Sequence, residues 1–530
     1  MLIPTRVTPV TLEIFRGALT AIAEEMGTVL MLSSYSPNIK ERRDFSCALF
    51  DAQGRLIAQA AHIPVHLGSM PDSVAAALAS IDSFAPGDII AVNDPYLGGT
   101  HLPDITLIAP LFIKHQREEH LIGFAANRAH HADVGGMSPG SMPLATEVYQ
   151  EGIILPPLKL WEAGQPNTPL LTLLLRNVRT PEERQGDLAA QVAANRTAIR
   201  RIQELVERYG LRTLEEHIDG LIAYAERITR AAIERIPDGS YSFTDYLDND
   251  GVEDEPVAIS VRVDVRGSEI TADFSGSSAQ VSGNINTVAA VTKSATYYVV
   301  RCLITGEAPM NHGTFAPVTV IAPEGSVVNA RPPAGVAQGN VETSQRIVDT
   351  LFGALAQALP DVIPAASQGT MNNITAGGID PRLGVPFTYY ETMGGGMGGR
   401  PGLDGLSGVH VHMSNTLNTP IEAFEYAYPL RIVRYQLRDD SGGVGSARGG
   451  DGLVREIAFK VPTEVTLLCE RRRFAPYGLR GGAPGQCGEN RLLRSGREEL
   501  LPGKVRFRAQ PGDRLIIASP GGGGWGSLPR

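Results

Sequence analysis

The run Asp88-Ile89-Ile90-Ala91-Val92-Asn93-Asp94-Pro95-Tyr96-Leu97-Gly98-Gly99-Thr100-His101-Leu102-Pro103-Asp104-Ile105-Thr106-Leu107-Ile108 decides the architecture. Two apolar, β-branched segments too short for helices bracket a loop rich in glycine and proline, which predicts two strands with a polar connection. A third apolar run, Leu121-Ile122-Gly123-Phe124, leads into Ala125-Ala126-Asn127-Arg128-Ala129-His130-His131-Ala132-Asp133-Val134-Gly135-Gly136. Imidazoles and carboxylates therefore gather at strand ends, where a rigid sheet can hold loop groups in place. That pattern points to a metal-dependent enzyme.

Working outward, Leu12, Phe15, Leu19, Ile22, Met26 and Leu30 form one apolar stripe, predicting a helix over Thr8–Met31 capped by Thr8 or Thr11. Asp44–Phe50 and Arg55–Gln59 read as a hairpin turning at 51–54. Ser69 or Asp72 is expected to cap a helix with Pro71 in its first turn, running through Val74–Leu78. Beyond Asn195, one helix should end near Gly210 and another begin at Thr213, where Glu216 completes a capping box; Pro237-Asp238-Gly239 stops it. Alternation from Val257 to Val265 and back through Ile270, Ala272 and Phe274 predicts an antiparallel hairpin. The last 130 or so residues read as strands broken by glycine, with no fixed repeat. The expected fold is α+β: mixed sheets with flanking helices in several domains, the C-terminal half β-rich and Gly-rich. The expected domains are an α/β metal-site domain at 1–237, a β-rich domain at 238–345 and a Gly-rich domain with strands at 346–530.

Of 530 residues, 57 are acidic and 47 basic, a formal charge of −10 that leaves no surplus for a phosphate backbone, so nucleic-acid binding is not expected. Arg471-Arg472-Arg473 reads as a solvated or salt-bridged strand end. Cys47, Cys302, Cys469 and Cys487 are scattered without CxxC spacing, which suits a reducing, cytoplasmic setting. Neither a cleavable leader nor a run of about 18 uncharged apolar residues is found, so secretion and membrane spanning are not expected.

His101 and Asp104 supply an imidazole nitrogen and a carboxylate oxygen, both suited to divalent metals, and Pro103 requires a turn to bring them together. His130 and His131 point to opposite faces if their strand stays extended, so only one ligates easily. Asp44 shares a strand face with Ser46 and not with Cys47, which fits core packing better. The competing reading is that these groups cap turns and satisfy buried backbone. His62 and His66 have HxxxH spacing, but Pro64 between them and the absent glutamate weaken the pair; His410 and His412 would share one face of a strand. The run Gly394–Gly399 and the C-terminal glycines satisfy GxGxxG without a βαβ context, and neither GxxxxGK[ST] nor a GxSxG elbow occurs. The chain carries no phosphate cradle of its own.

Several segments together resemble the hydantoinase B/oxoprolinase family: Glu41–Ser46, His62–Met70, Asn93–Asp104, Arg128–Gly136, Gly339–Gln345, Gln368–Asn373, Tyr390-Glu391-Thr392 and the Pro520–Gly526 tail. The resemblance runs nearly end to end. It implies a division of labour in which a separate hydantoinase A-type ATPase subunit phosphorylates the oxygen of a small cyclic amide. The present chain would hold one divalent metal where the activated species is hydrolysed. Carried over by motif, the metal ligands are Asp44, His101, Asp104 and His130, with His131 and Asp133 behind them as acid/base groups or as groups that support the ligands from behind. Phosphorylation turns an unreactive amide into an imidate-like electrophile, and a metal supplies hydroxide at neutral pH. A His/Asp shell without thiolate suits Zn, Mn or Fe. The resemblance implies a hetero-oligomer acting on 5-oxoproline, a hydantoin or a related lactam. Two alternatives stay open: a subunit of an ATP-dependent acetone- or acetophenone-type carboxylase, and a non-catalytic assembly subunit.

Overall fold

The computed structural model describes residues 7–60, 62–115, 118–306 and 308–528. The opening run folds as two strands of a seven-stranded sheet made of Phe45–Asp51 (β1), Leu56–Gln59 (β2), Ile89–Val92 (β3), Asp104–His115 (β4), Glu118–His130 (β5), Leu158–Glu162 (β6) and Gln165–Pro166 (β7). Their spatial order is β2-β1-β5-β4-β3-β6-β7. Strict alternation gives this sheet two apolar faces. Phe45, Cys47, Leu49, Ala125 and Ala129 pack against helices Pro9–Ser33 and Pro181–Tyr209, while Ala48, Phe50, Ile90, Val92, Ile108 and Ala126 pack against helix Pro64–Ser80. Thr8 caps the first helix, accepting from the Thr11 N–H.

A second sheet, in spatial order β11-β10-β9-β8, comprises Gly239–Leu247 (β8), Val257–Arg266 (β9), Glu269–Asp273 (β10) and Val318–Ile321 (β11), with β10 and β11 parallel. Val257, Ile259, Val261, Val263 and Val265 are all buried against helices Ala289–Leu303 and Ser344–Leu355. The C-terminal strands are Asn373–Asp380 (β12), Val385–Glu391 (β13), Leu430–Arg438 (β14), Gly452–Phe459 (β15), Thr463–Leu468 (β16), Glu489–Arg494 (β17), Arg497–Leu501 (β18), Lys504–Ala509 (β19) and Arg514–Ala518 (β20). They form two sheets, β13-β12-β16-β19 and β14-β15-β20-β17-β18. Mixed sheets with flanking helices make the fold α+β.

The glycine runs are backbone packing. A Cβ on Gly396 would lie 2.0 Å from the Gly450 oxygen and 2.2 Å from the Gly522 nitrogen. These segments bond directly to one another, Gly396 N–H to Pro520 O (3.0 Å) and Gly522 N–H to Gly450 O (2.9 Å).

Three local expectations change. The helix expected at Ser69 or Asp72 begins at Pro64, which suits a first helical position, and Pro71 lies inside it. Ser69 instead donates back to the Val65 carbonyl, and Asp72 pairs with Lys293. The helix expected at Thr213 begins at Leu211 without a side-chain cap, because its cap position is Gly210; Glu216 pairs with Arg212 instead. Of the two readings of Arg471 the salt-bridged one holds: it is buried and ion-paired to Asp245 (2.8 Å) and Asp349 (2.6 Å). His410–His412 is not a strand, and His412 adopts a positive φ of 54°. Among the described residues no helix is long and apolar enough to cross a membrane.

Candidate functional site

The period of two brings the site together. On β4 and β5, Asp104 stands opposite His130 and Thr106 opposite Arg128; on β1, Ser46 stands opposite Arg128. These residues share the face that carries Ala48, Ile108 and Ala126, so they look toward helix Pro64–Ser80. That helix answers with His66, Ser69 and Ser73. The Arg128 guanidinium donates to Thr106, Ser69 and Ser73 and ties sheet to helix beneath the cluster.

Asp104 is the hub. Its Oδ1 lies 3.1 Å from His101 Nε2 and 3.3 Å from His130 Nδ1, and its Oδ2 lies 3.4 Å from His66 Nε2. Oδ2 also accepts from the Thr100 hydroxyl (2.7 Å) and the Asn340 amide (3.3 Å). All of these groups are buried. Burial alone would raise the Asp104 pKa, but the His101 and His66 charges and hydrogen bonds outweigh it and hold the carboxyl well below the usual range. His130 is pushed down by burial against the opposing pull of Asp104.

One hydrogen bond fixes the chemistry of His101. Its Nδ1 faces the Ala337 carbonyl at 3.2 Å, and a carbonyl can only accept, so Nδ1 carries a proton and, whenever the ring holds one proton only, the lone pair is on Nε2. In that form the lone pair faces a carboxylate oxygen at 3.1 Å, two acceptors that a cation between them would satisfy. His101 Nε2, Asp104 Oδ1 and His130 Nε2 are all buried without a hydrogen-bond partner. Their arrangement calls for a cation, and ligand atoms of His101, Asp104 and His130 lie within 4.8 Å of one another. Two imidazoles and a carboxylate, with a third imidazole adjoining, fit Zn, Mn or Fe.

A cavity of about 20 Å³, roughly the room one water needs, lies against the cluster. Asp44, His66, His130, Asn340 and Tyr390 are among its lining residues. Asp44 lines this cavity without joining the tight group of three. The Tyr390 ring stacks on His130 at 4.2 Å and 15°, with the Arg42 guanidinium 5.0 Å from the Tyr390 centroid, so the imidazole plane is fixed.

His131 and Asp133 are not brought into this group. His131 turns to the opposite face, where Nε2 donates to Gln191 (2.9 Å) and burial pushes its pKa down to about 4. Asp133 pairs with Arg179 (2.9 Å) and accepts from the Gly135, Gly140 and Arg179 N–H groups, closing its own loop. His62 accepts from the Cys47 N–H, His410 meets Ser414, and His412 meets Asp349. Cys47 is fully buried among apolar side chains. Sequence reasoning discounted His66 because Pro64 argued against a helix; Pro64 in fact starts the helix that delivers it. Asn340 and Tyr390 lie more than 200 residues from Asp104, and only their place in matching motifs hinted at them.

The hydantoinase B/oxoprolinase family model matches residues 8–528. The chain is 40% identical to 5-oxoprolinase 1 of Arabidopsis thaliana over 98% of its own length, yet spans only 42% of that relative. It is 35% identical to a protein described as the B-type subunit of a D-/L-hydantoinase from a Pseudomonas strain, covering 98% of this chain and 90% of the relative. Its structure superposes on the ATP-dependent caprolactamase of Pseudomonas jessenii with a TM-score of 0.91 at 32% identity, covering 98% of this chain and 91% of that one. The chain belongs to the hydantoinase B/oxoprolinase family.

Proposed function

We propose that this chain is the metal-dependent part of an ATP-dependent cyclic amide hydrolase, opening a small lactam or hydantoin ring after its oxygen is phosphorylated by a hydantoinase A-type ATPase. The observation that carries this reading is the convergence of His101, Asp104 and His130, whose Nε2, Oδ1 and Nε2 atoms are buried without a hydrogen-bond partner. His101, Asp104 and His130 would hold the metal, with His66 adjoining. When bound, a divalent metal would act as a Lewis acid and lower the pKa of water. Asp44, which lines the same cavity, would add a further ligand or take a proton from an attacking water. Tyr390 and Arg42 keep the His130 ring in plane. Because a ring needs more room than one water, the flexible side chains of Met371 and Met413 would yield to admit it. His131 and Asp133 would act through the shape of their loop.

Absence of a nucleotide loop in this sequence supports an ATPase outside it, as does the remaining length of the Arabidopsis relative. All four cysteines are free, in keeping with a cytoplasmic enzyme. To test the reading, the chain is assayed alone and with an A-type ATPase subunit on 5-oxoproline, hydantoins and caprolactam. ADP, ring-opened acid and incorporation of labelled bicarbonate are followed. Ring opening that needs both ATP and the partner, and disappears in His101→Ala, is the expected result. Comparable ATP-independent turnover by the pure chain would overturn it, and labelled carbon in the product would replace hydrolysis with carboxylation.

A further inference from the structure

Glu151 is fully buried in the turn after Val148–Gln150, and among the described residues it forms no ion pair. Its Oε1 accepts from two successive backbone amides, Val336 N–H (2.9 Å) and Ala337 N–H (3.0 Å). The approach is close enough that a Cβ on Gly335 would lie 3.0 Å from the same oxygen and 2.8 Å from the Asn284 Cβ. Neighbouring bonds clamp the rest of this loop. Val148 N–H donates to Pro333 O, the Tyr96 hydroxyl to Ala334 O, and the Gln338 and Gly339 N–H groups to Asn284 O. The clamped loop delivers two contacts to the cluster, the Ala337 carbonyl on His101 Nδ1 and the Asn340 amide on Asp104 Oδ2. Ala337 thus has its N–H on Glu151 and its carbonyl on His101.

We propose that Glu151 is a positioning residue: by holding the Val336 and Ala337 amides it aims the Ala337 carbonyl at His101 Nδ1, and so fixes the tautomer that turns His101 Nε2 toward Asp104. The consequence for metal rests on the functional reading above; the tautomer does not. Burial also pushes the carboxyl up to about 8, so it is largely neutral at pH 7 and one carbonyl-type oxygen suffices to accept both amides. A glutamine at this position keeps that oxygen, and a leucine removes it at similar volume.

The test uses the full chain labelled with nitrogen-15 histidine, in wild type, Glu151→Gln and Glu151→Leu. The His101 ring signals are assigned by their loss in His101→Ala. In metal-free wild type and Glu151→Gln, His101 should carry its proton on Nδ1; in folded Glu151→Leu the signal should shift to a mixture of tautomers. Binding of Co²⁺ followed by its visible spectrum should weaken about 10- to 100-fold in Glu151→Leu, the usual effect of removing an outer partner of a ligating histidine, and recover in Glu151→Gln. A wild-type ring protonated on Nε2 would overturn the proposal even if the leucine variant did not fold. So would a leucine variant with lowered thermal stability but an unchanged His101 tautomer. If no variant binds Co²⁺, the metal reading fails while the tautomer measurements still decide the role of Glu151.

Discussion

Replacing Asp104 by asparagine separates the electrostatics of the cluster from its packing. The side chain keeps its size, and its amide oxygen can still accept from Thr100 and Asn340, as Asp104 Oδ2 does now. Its new N–H₂ can donate to the His101 Nε2 lone pair, which at present faces an oxygen at 3.1 Å. The metal-free protein should therefore still fold, losing only the stability that the ionised carboxylate contributes above the ordinary carboxylate range. Cation binding is a different matter. A unit charge about 3 Å from a carboxylate is attracted by roughly 5 kcal/mol at an effective dielectric near 20. If the amide dipole recovers a third of this, the loss is about 3 kcal/mol, or on the order of 100-fold in affinity. Wild-type protein at a free metal concentration about 100 times Kd gains roughly 2.7 kcal/mol, worth about 5–10 °C in a unit of some 200 residues. Melting with and without chelator, beside elemental analysis, should show that shift in wild type and not in Asp104→Asn. Equal metal content and an equal shift in both would refute the argument. An asparagine variant that cannot fold without metal would show that the charge holds imidazolium rings, and the acceptor-pair logic would fall.

The His131 pKa of about 4 against an ordinary 6.5 makes a pH prediction. As the pH falls from 6.5 toward 4, the unfolded chain binds a proton that the folded chain refuses, so stability is full above 6.5 and drops by about 3 kcal/mol across that window. His131→Gln should flatten this part of the urea midpoint's pH dependence and leave metal content unchanged; loss of metal would instead give His131 a direct role. Asp104, whose folded pKa is depressed, contributes stability that is complete above the ordinary carboxylate range and is lost on further acidification. In metal-free protein, Asp104→Asn should therefore remove part of the acid-side slope, and an identical slope would count against it. Gly396→Ala forces a methyl toward backbone atoms at 2.0 and 2.2 Å. Thermal unfolding should register a loss of about 3 kcal/mol or more, and a variant within 1 kcal/mol would mean that the glycine segments separate easily.

Much of the N-terminal fold was legible because alternation and helical stripes are local signals. The Thr8–Met31 stripe, the hairpin of β1 and β2 and the β9–β10 hairpin each depend on neighbours within about 25 residues. Boundaries failed where a proline or a cap had two physically allowed uses. Pro71 fits a first turn, yet Pro64 does too, and Pro64 starts the helix. Glu216 fits a capping box, yet Arg212 sits four residues before it and takes the carboxylate instead. For Arg471 the salt-bridged alternative holds, but its partners were not legible: Asp245 and Asp349, which neutralise it, lie more than 100 residues away. For the glycine runs the missing βαβ context argued against a phosphate loop, but nothing in their composition says which backbone segments they pack against.

Within the site, the sequence carried the parity but not the partners. Asp44, Asp104 and His130 sit near strand ends whose alternation was readable, and that alternation also sends His131 to the other face. What alternation cannot encode is which helix covers the face, so His66 was discounted and the Ala337 carbonyl, a backbone atom, had no signature. Yet that carbonyl determines which nitrogen of His101 is protonated, and hence whether Asp104 faces a donor or a lone pair. The chemistry of His101 is thus set by a loop some 236 residues away in sequence. A motif of histidine and aspartate specifies the inventory of a metal centre; the hydrogen bonds behind it determine which atoms are free to bind.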